Sequence, residues 1–239
     1  MALQPWRKGT VIKIENETSD TRRFWIQVAE INSFDFEPGQ FVTLDLPIHE
    51  KVNRRWRSYS IASHPDGTNV IELLIVLNKE GAGTPYLFNE IAVGSELTLR
   101  GPQGVYTLPE VLDKKLFLIC TGTGIAPFRS MIKHLQQHPK NHSDIHLIFG
   151  CRTQSDLLYF EEMKSLEKEL PLFHYHPVLS REQWEGASGY VHAIYESLCA
   201  DKPLANFYLC GWKGMIDEAR TRIVQLGYEK KDIHVEIYG

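Results

Sequence analysis

Cysteine is scarce in this chain of 239 residues, and its spacing excludes one common use of the residue. The sequence has no C-x-x-C motif and no cysteine spacing typical of an iron–sulfur cluster. We therefore expect free thiols in a reducing compartment, which favours a cytoplasmic protein. The four cysteines are Cys120, Cys151, Cys199 and Cys210.

Long apolar runs and an excess of positive charge are also lacking. No run of 18 apolar residues occurs, and the first residues, MALQPWRKGT, lack the apolar segment of a secretion signal. The net charge of −4 gives no reason to expect a nucleic-acid partner. These absences predict a soluble protein that is neither secreted nor membrane-spanning. With 43% hydrophobic residues, the chain can form one large domain or two smaller ones.

Two patterns of hydrophobic residues divide the chain near Glu110–Lys115. The first half has short stretches rich in β-branched and aromatic residues, which predict six strands of a small barrel or sandwich. They are TVIKIENET, RRFWIQVA, QFVTLDLP, SYSIAS, VIELLIVLN and SELTLRGP. The second half alternates strand-like and helix-like stretches, which predicts an open parallel α/β sheet. We predict two closely packed domains, residues 1–111 and 112–239, with a cleft between them.

The stretch TGTGIAPFRS follows the apolar run KLFLIC and is a candidate phosphate-binding loop. Gly122 and Gly124 allow the backbone to approach a ligand, and Pro127 suits the first turn of a helix. The N–H groups of such a helix would face the loop, which favours a pyrophosphate. The alternative is a tight turn whose glycines serve geometry only, since Pro127 stands where G-x-G-x-x-G has its third glycine.

The ends of two later strands bear on the choice of nucleotide. The stretch DIHLIFGCRT ends without the acidic residue that binds the ribose 2′-hydroxyl of NAD. Ser180 and Arg181 follow the next strand, and a guanidinium matches a phosphate through paired hydrogen bonds. This favours NADP over NAD. The alternative interpretation is that Ser180 and Arg181 form a surface turn with an exposed arginine.

The first half contains a second candidate site, in RWRSYSIASHP. An arginine can pair with a phosphate, a tyrosine can pack on a ring, and a serine can reach a polar ring atom. Further along, Gly83 and Thr84 precede a short helix-like segment and form another candidate anion site. An ordinary amphipathic strand explains the first group equally well. Its members are Arg57, Ser58, Tyr59 and Ser60.

The chain ends in DIHVEIYG, which alternates like a strand paired into a sheet. Ile233, Val235 and Ile237 would share one face. His234, Glu236 and Tyr238 would share the other, which directs a carboxylate and a phenol the same way.

Taken in order, these motifs resemble those of plant-type ferredoxin–NADP reductases over nearly the whole chain. RSYSIAS, GTPYLF, GPQG, TGTGIAPFRS, SREQ, CGWKGM and HVEIY follow the order of that family. The resemblance implies a six-stranded antiparallel FAD-binding barrel followed by a parallel α/β domain for NADP(H). It implies hydride transfer between NADP(H) and flavin N5, and single-electron exchange with a small acidic carrier, ferredoxin or flavodoxin.

The resemblance also implies roles for individual residues. The FAD contacts would be Arg57, Ser58, Tyr59, Ser60, Gly83 and Thr84. The nicotinamide-nucleotide contacts would be Gly122, Thr123, Gly124, Pro127, Arg152, Ser180, Arg181, Tyr190 and Gly211. The residues at the junction of nicotinamide and flavin would be Ser60, Cys210, Glu236 and Tyr238. Without the family motif, Cys210 is more typical of a buried strand cysteine and Glu236 of a solvated acid on an edge strand. Tyr238 alone is typical of a strand-end aromatic.

At that junction, each side chain has a chemical use. Cys210 is small and polarisable enough to lie against the nicotinamide, and Glu236 can orient Ser60 or relay a proton from N5. The Tyr238 ring has the size to stack on the flavin where the nicotinamide must sit. Gly239 follows it and should not block its motion.

Three departures from the family pattern stand out. Ser188 and His192 replace a cationic and an amide contact around Tyr190, which weakens the case for NADP. Leu77 stands where a tyrosine often covers the FAD adenosine.

Other residues raise competing interpretations. Lys51, Arg54 and Arg55 concentrate positive charge in an acidic chain, as either a solvated loop or a docking site for an acidic protein. Competing functions are a free-flavin or ferric reductase and a non-catalytic flavin-binding subunit of a larger assembly.

Four histidines recur at four-residue steps, but Pro139 argues against a metal-binding helix face. They are His134, His138, His142 and His146.

Overall fold

The structure, a computed structural model, describes residues 4–238, so Gly239 lies outside the described residues. The chain forms two compact units. The first ends at Thr107 and also includes Arg129–His134, and the second contains Leu108–Phe128 and the residues from Leu135 onward. Each unit contains a six-stranded sheet.

The sheet of the first unit is antiparallel, and all six predicted strands are present. Its strands are β1 (Trp6–Asn16), β2 (Thr21–Val28), β3 (Phe41–Asp45), β4 (Trp56–Ser60), β5 (Val70–Val76) and β6 (Glu96–Gln103). Their order in the sheet is β4-β3-β6-β1-β2-β5. An isolated bridge between Ile61 and Leu73 links the two edges, which closes the sheet into a barrel. Helix α1 (Gly83–Asn89) follows β5.

Alternation along these strands builds the core of the first unit. Phe24 and Ile26 on β2 are fully buried and pair with Leu73 and Ile71 on β5, which are also fully buried. Side chains of a strand point alternately to its two faces, so this pattern gives the barrel one apolar face. Burial of each such side chain contributes about 1.5–3 kcal/mol.

The sheet of the second unit is parallel and confirms the predicted α/β architecture. Its strands are β7 (Lys115–Thr121), β8 (Ile145–Cys151), β9 (Phe173–Leu179), β10 (Ala187–Ser188), β11 (Ala205–Trp212) and β12 (Ile233–Tyr238). The helices that follow β7 are α2 (Ile125–Gln137), whose residues Arg129–His134 group with the first unit, α3 (Phe160–Glu169), α4 (Val191–Leu198) and α5 (Lys213–Gln225). The strand order is β10-β9-β8-β7-β11-β12.

The chain path in this sheet reverses direction beside β7. From β7 it proceeds to β8, β9 and β10 on one side, then returns to β11 and β12 on the other. In open parallel sheets, ligands bind at the carboxyl ends of the strands where the order reverses. The loop TGTG stands at the carboxyl end of β7, so the fold places it at such a point. The predicted terminal strand is confirmed as β12, which pairs in parallel with β11.

The helices give no sign of a bilayer-spanning segment: within residues 4–238, none combines the length and the apolar composition that crossing requires.

Candidate functional site

Arg57 on β4 lies against the start of helix α1. A Cβ atom on Gly83 would lie 3.0 Å from both Cγ and Nε of Arg57, so a larger residue there would require the Arg57 side chain to shift. Arg57 Nη1 donates to the carbonyls of Arg54 at 3.1 Å and Trp56 at 2.8 Å. The structure therefore brings the predicted arginine to the predicted glycine turn, where a guanidinium can meet a phosphate.

The hydroxyl of Thr84 is engaged within its own loop. It donates to the carbonyl of Asn78 at 3.1 Å and accepts from the Asn78 N–H at 2.8 Å. A hydroxyl has one proton, so this arrangement leaves none to donate to a pyrophosphate. The sequence reasoning missed Asn78, although an asparagine followed closely by glycine in NKEG is a recognisable turn signal.

The remaining R-x-Y-S residues have different surroundings. Ser58 is exposed, and its Oγ lies 3.1 Å from Oγ1 of Thr43 on β3. Tyr59 packs against the barrel core, and burial raises its pKa to about 12 although Arg57 opposes that shift. Ser60 is buried at the end of β4. A neutral phenol and a buried hydroxyl suit an uncharged ring better than a phosphate.

The two glycines of the nucleotide loop have separate reasons for lacking a side chain. Gly122 has φ +54°, and a Cβ there would meet nothing within 4 Å. A Cβ on Gly124 would come within 2.4 Å of the Cys210 carbonyl oxygen. One glycine permits a left-handed turn beside open space, and the other permits close packing on β11. Thr123 lies between them, and Pro127 is in the first turn of α2.

Thr121, the last residue of β7, contacts the end of β11 beside this loop. The sequence did not point to this residue. Its Oγ1 accepts a hydrogen bond from the Trp212 N–H at 3.2 Å. Gly211 has φ +131°, and a Cβ there would lie 2.6 Å from the same oxygen. A threonine at the end of a buried strand gives no signal of this contact, because it depends on the neighbouring strand.

Cys210, Glu236 and Tyr238 meet at the carboxyl ends of β11 and β12. Cys210 is aligned with Glu236, and its Sγ lies 3.9 Å from Glu236 Oε2. Burial raises the pKa of Cys210 well above its usual value, the Glu236 carboxylate adds to that shift, and a hydrogen bond with Tyr238 partly opposes it. Cys210 is therefore a neutral thiol. Ser60, the fourth predicted junction residue, belongs to the first unit.

The residues expected at the 2′-phosphate end meet at the carboxyl ends of β8 and β9. The Arg181 N–H donates to the Arg152 carbonyl at 2.9 Å, and both side chains are exposed. Ser180 Oγ donates to the Cys151 carbonyl at 3.1 Å, which uses its only proton. Tyr190, 73% exposed, immediately precedes α4. Two exposed arginines on neighbouring, hydrogen-bonded segments are suited to a phosphate, which a guanidinium matches through paired hydrogen bonds.

His192 is not available in the way its sequence position suggested. It is buried, its Nδ1 lies 2.9 Å from the Tyr195 hydroxyl, and its Nε2 lies 3.4 Å from Glu218 on α5. Its two nitrogens therefore face groups of α4 and α5. Ser188 donates through Oγ to the Glu182 carbonyl at 3.2 Å.

The four spaced histidines do not share a helix. His134 is in α2 and His146 is in β8, while His138 and His142 lie between these elements. Among residues 4–238, no group of three or more His, Cys, Asp or Glu side chains is arranged to hold a metal ion.

The basic segment before β4 contains one neutralised arginine. Arg55 Nε lies 2.7 Å from Asp45 Oδ1, whereas Lys51 and Arg54 are exposed. The rings of Trp6 and Trp56 lie nearby at 5.7 Å from each other, and each is 37% exposed. The unneutralised positive charge of this segment therefore lies on Lys51 and Arg54.

Comparison with known proteins identifies one domain family in each half of the chain. The family described as "Oxidoreductase FAD-binding domain" matches residues 8–107, and "Oxidoreductase NAD-binding domain" matches residues 118–221. Ferredoxin–NADP reductase B of Sorangium cellulosum is 32% identical over 91% of each chain. The anthranilate 1,2-dioxygenase electron transfer component of Acinetobacter baylyi is 33% identical over 80% of this chain.

The chain spans only 54% of the length of that second relative. Among solved structures, the Amycolatopsis cytochrome P450 reductase GcoB superposes with a TM-score of 0.86 at 28% identity, over 98% of this chain and 70% of its own. With one reductase matched over nearly its full length and both domain families present, the chain belongs to the ferredoxin–NADP reductase-type family of flavin- and nicotinamide-nucleotide-dependent oxidoreductases.

Proposed function

We propose that this protein transfers hydride between NADP(H) and the N5 atom of bound FAD, and single electrons to or from a small acidic carrier such as ferredoxin or flavodoxin. Residues 1–111 would hold the FAD and residues 112–239 the nicotinamide nucleotide. The observation that carries the proposal is the presence of two separate arginine sites on one chain, Arg57 against Gly83 and Arg152 beside Arg181.

The residues of the first unit fit an FAD molecule. Arg57 would pair with the pyrophosphate at the turn that Gly83 leaves open, without the help of the Thr84 hydroxyl. Tyr59 and Ser60 would contact the uncharged parts of the cofactor. Bound FAD would supply the conversion between two-electron and one-electron transfer.

The residues of the second unit would position the coenzyme and exclude water. The neutral Cys210 thiol would lie against the nicotinamide without adding charge. Glu236 would hold or pass on a proton at its carboxylate, and Tyr238 would cover the flavin until the nicotinamide replaces it. Alignment of two reactants can contribute roughly 7–11 kcal/mol in favourable cases.

At the other end of the coenzyme, Arg152, Ser180 and Arg181 would bind the 2′-phosphate and Tyr190 would contact the adenosine. These two arginines would favour NADPH over NADH, because only NADPH carries the phosphate that a guanidinium matches.

A second candidate function is that of a reductase component for an oxygenase. It is supported by the 33% identity to an oxygenase electron transfer component, of which this chain spans about half. The acceptor would then be another protein of that system.

The acceptor distinguishes a carrier reductase from a small-molecule reductase. Steady-state assays would compare NADPH-dependent reduction of a purified ferredoxin, of free FMN and of a ferric chelate. We expect saturable reduction of the ferredoxin at a kcat/KM well above that for the two small acceptors. Faster reduction of free FMN or of the ferric chelate would contradict the carrier function and favour a small-molecule reductase.

A further inference from the structure

Glu182 follows Ser180 and Arg181, and its contacts join three segments of the second unit. Its Oε2 accepts a hydrogen bond from the Gln154 N–H at 2.7 Å. Its carbonyl accepts one from Ser188 Oγ at 3.2 Å. Gln154 lies two residues after one proposed coenzyme arginine, and Ser188 lies two residues before the proposed adenosine contact. One residue therefore touches every segment that carries the 2′-phosphate end of the site.

The Glu182 carboxylate accepts the last hydrogen bond of a ladder that begins between β8 and β9. β8 and β9 pair in parallel up to their last residues. Beyond them, the Ser180 N–H donates to the Cys151 carbonyl at 3.0 Å, and the Arg181 N–H donates to the Arg152 carbonyl at 2.9 Å. The Glu182 side chain then supplies the acceptor for the facing loop. The ladder thus continues past the strands and ends on a side chain.

This geometry affects how readily two guanidinium groups can share one phosphate. Arg152 and Arg181 are exposed, and long exposed side chains lose conformational freedom when they bind. Fixing their backbones at one spacing avoids the additional cost of ordering the two loops when the phosphate binds. Without the Glu182 acceptor, the Arg152 loop would keep the main-chain contacts of the ladder and its internal Thr153–Asp156 hydrogen bonds, but would lose the Gln154 contact to the segment that carries Arg181.

We propose that Glu182 is a positioning residue that holds Arg152 and Arg181 at the spacing required by a 2′-phosphate. The proposal rests on the NADP(H) assignment above. Glu182 acts through the two arginines and does not itself touch the coenzyme. Its negative charge alone would oppose a phosphate, so its benefit comes from the acceptor oxygen.

Two substitutions of Glu182 separate the effect of its acceptor oxygen from the effect of its charge. Glu182→Ala removes both, and we expect KM for NADPH to rise about 5- to 20-fold, with kcat and the KM for NADH within 2-fold. Glu182→Gln keeps an oxygen that accepts the Gln154 N–H, so its KM for NADPH should be at or below that of the parent. Glu167 provides a matched control, because its Oε1 accepts the Tyr175 N–H at 2.8 Å. Glu167→Ala should leave the NADPH/NADH ratio of kcat/KM unchanged.

Equal losses in Glu182→Ala and Glu182→Gln, or equal losses for both coenzymes, would overturn the proposal. Arg181→Ala shows which assignment has failed. If it lowers kcat/KM for NADPH alone while Glu182→Ala does not, only the positioning role is wrong. If Arg181→Ala is not selective either, the NADP(H) assignment fails and the positioning role fails with it.

Discussion

Glu72 is a buried carboxylate between two arginines of the first unit. It is 3% exposed, its Oε1 accepts from Arg23 at 2.7 Å, and its Oε2 accepts from Arg129 at 3.0 Å. Glu72→Ala would deprive the buried Arg129 of the Glu72 carboxylate and leave Arg23 with the more distant Glu15 and Glu17, so we expect a loss of about 3–5 kcal/mol in the free energy of unfolding. Urea denaturation measures it. Glu96→Ala, at the exposed pair with Lys8, should cost less than about 1 kcal/mol. Equal losses of unfolding free energy in the two variants would contradict the assignment of Glu72 as a buried charge partner.

Tyr238 gives a prediction for coenzyme binding at the same scale. If its ring competes with the nicotinamide for the flavin, Tyr238→Ser removes a stacking contact worth about 0.5–1.5 kcal/mol. We expect NADP⁺ to bind about 2- to 12-fold more tightly, with slower product release and poorer discrimination against NADH. Difference spectroscopy measures the affinity. Tyr238→Phe keeps the ring and should resemble the parent. A serine variant indistinguishable from the parent would leave Tyr238 as a strand-end aromatic.

At the scale of elements, β8 and β9 bring three histidines together on one face. His146 stacks on His174 with ring centroids 4.8 Å apart, and its Nδ1 lies 3.1 Å from His176 Nε2. Burial, the other two histidines and Lys115 lower the pKa of His146 to about 4, although Asp144 opposes them. The native state thus holds His146 neutral at pH values where an unfolded chain protonates it.

This cluster predicts a dependence of stability on pH. Below the usual histidine pKa of about 6.5 the unfolded state binds more protons, so stability falls as the pH falls toward 4. His146→Phe would continue the stack on Phe117, whose centroid is 5.2 Å away, without a titrating group. Between these pH values, the free energy of unfolding should fall less in the variant than in the parent, and the difference should be at most about 3 kcal/mol. Parallel stability–pH curves for parent and variant would contradict the assignment.

Most elements could be predicted from the sequence, because local patterns determine them. The alternation at the chain end predicted β12, and the apolar run before TGTG predicted β7. The contacts that shape the site were less accessible. Asn78 with Thr84, Thr121 with Trp212 and Glu182 with Gln154 each join positions whose proximity depends on register or loop path. The contacts of His146 with His174 and His176 also join two strands, so no local pattern predicts them.

At the scale of the whole molecule, the charge distribution bears on the electron carrier. The net charge is −4, yet Lys51 and Arg54 leave a local positive charge beside β4. If an acidic carrier docks there, Lys51→Glu with Arg54→Glu should slow its reduction at low salt, and added salt should slow the parent, since charges are screened beyond about 10 Å at 0.1 M. Reduction of a neutral quinone should not change.

Matched charge reversals at Lys168 and Lys202 keep the net charge of that variant but leave this segment intact. These reversals should slow reduction of the carrier less than Lys51→Glu with Arg54→Glu does. Unchanged carrier kinetics in the first variant would leave the segment as a solvated loop.

The measurement that tests the central claim most directly is the anaerobic reduction of the flavin. The visible spectrum of the purified protein, supplied with FAD, would be recorded before and after addition of NADPH, and in a separate sample NADH. The account predicts flavin absorption bands that NADPH bleaches, and bleaches faster than NADH at equal concentration. A protein that retains no flavin, or a flavin that neither coenzyme reduces, would contradict it.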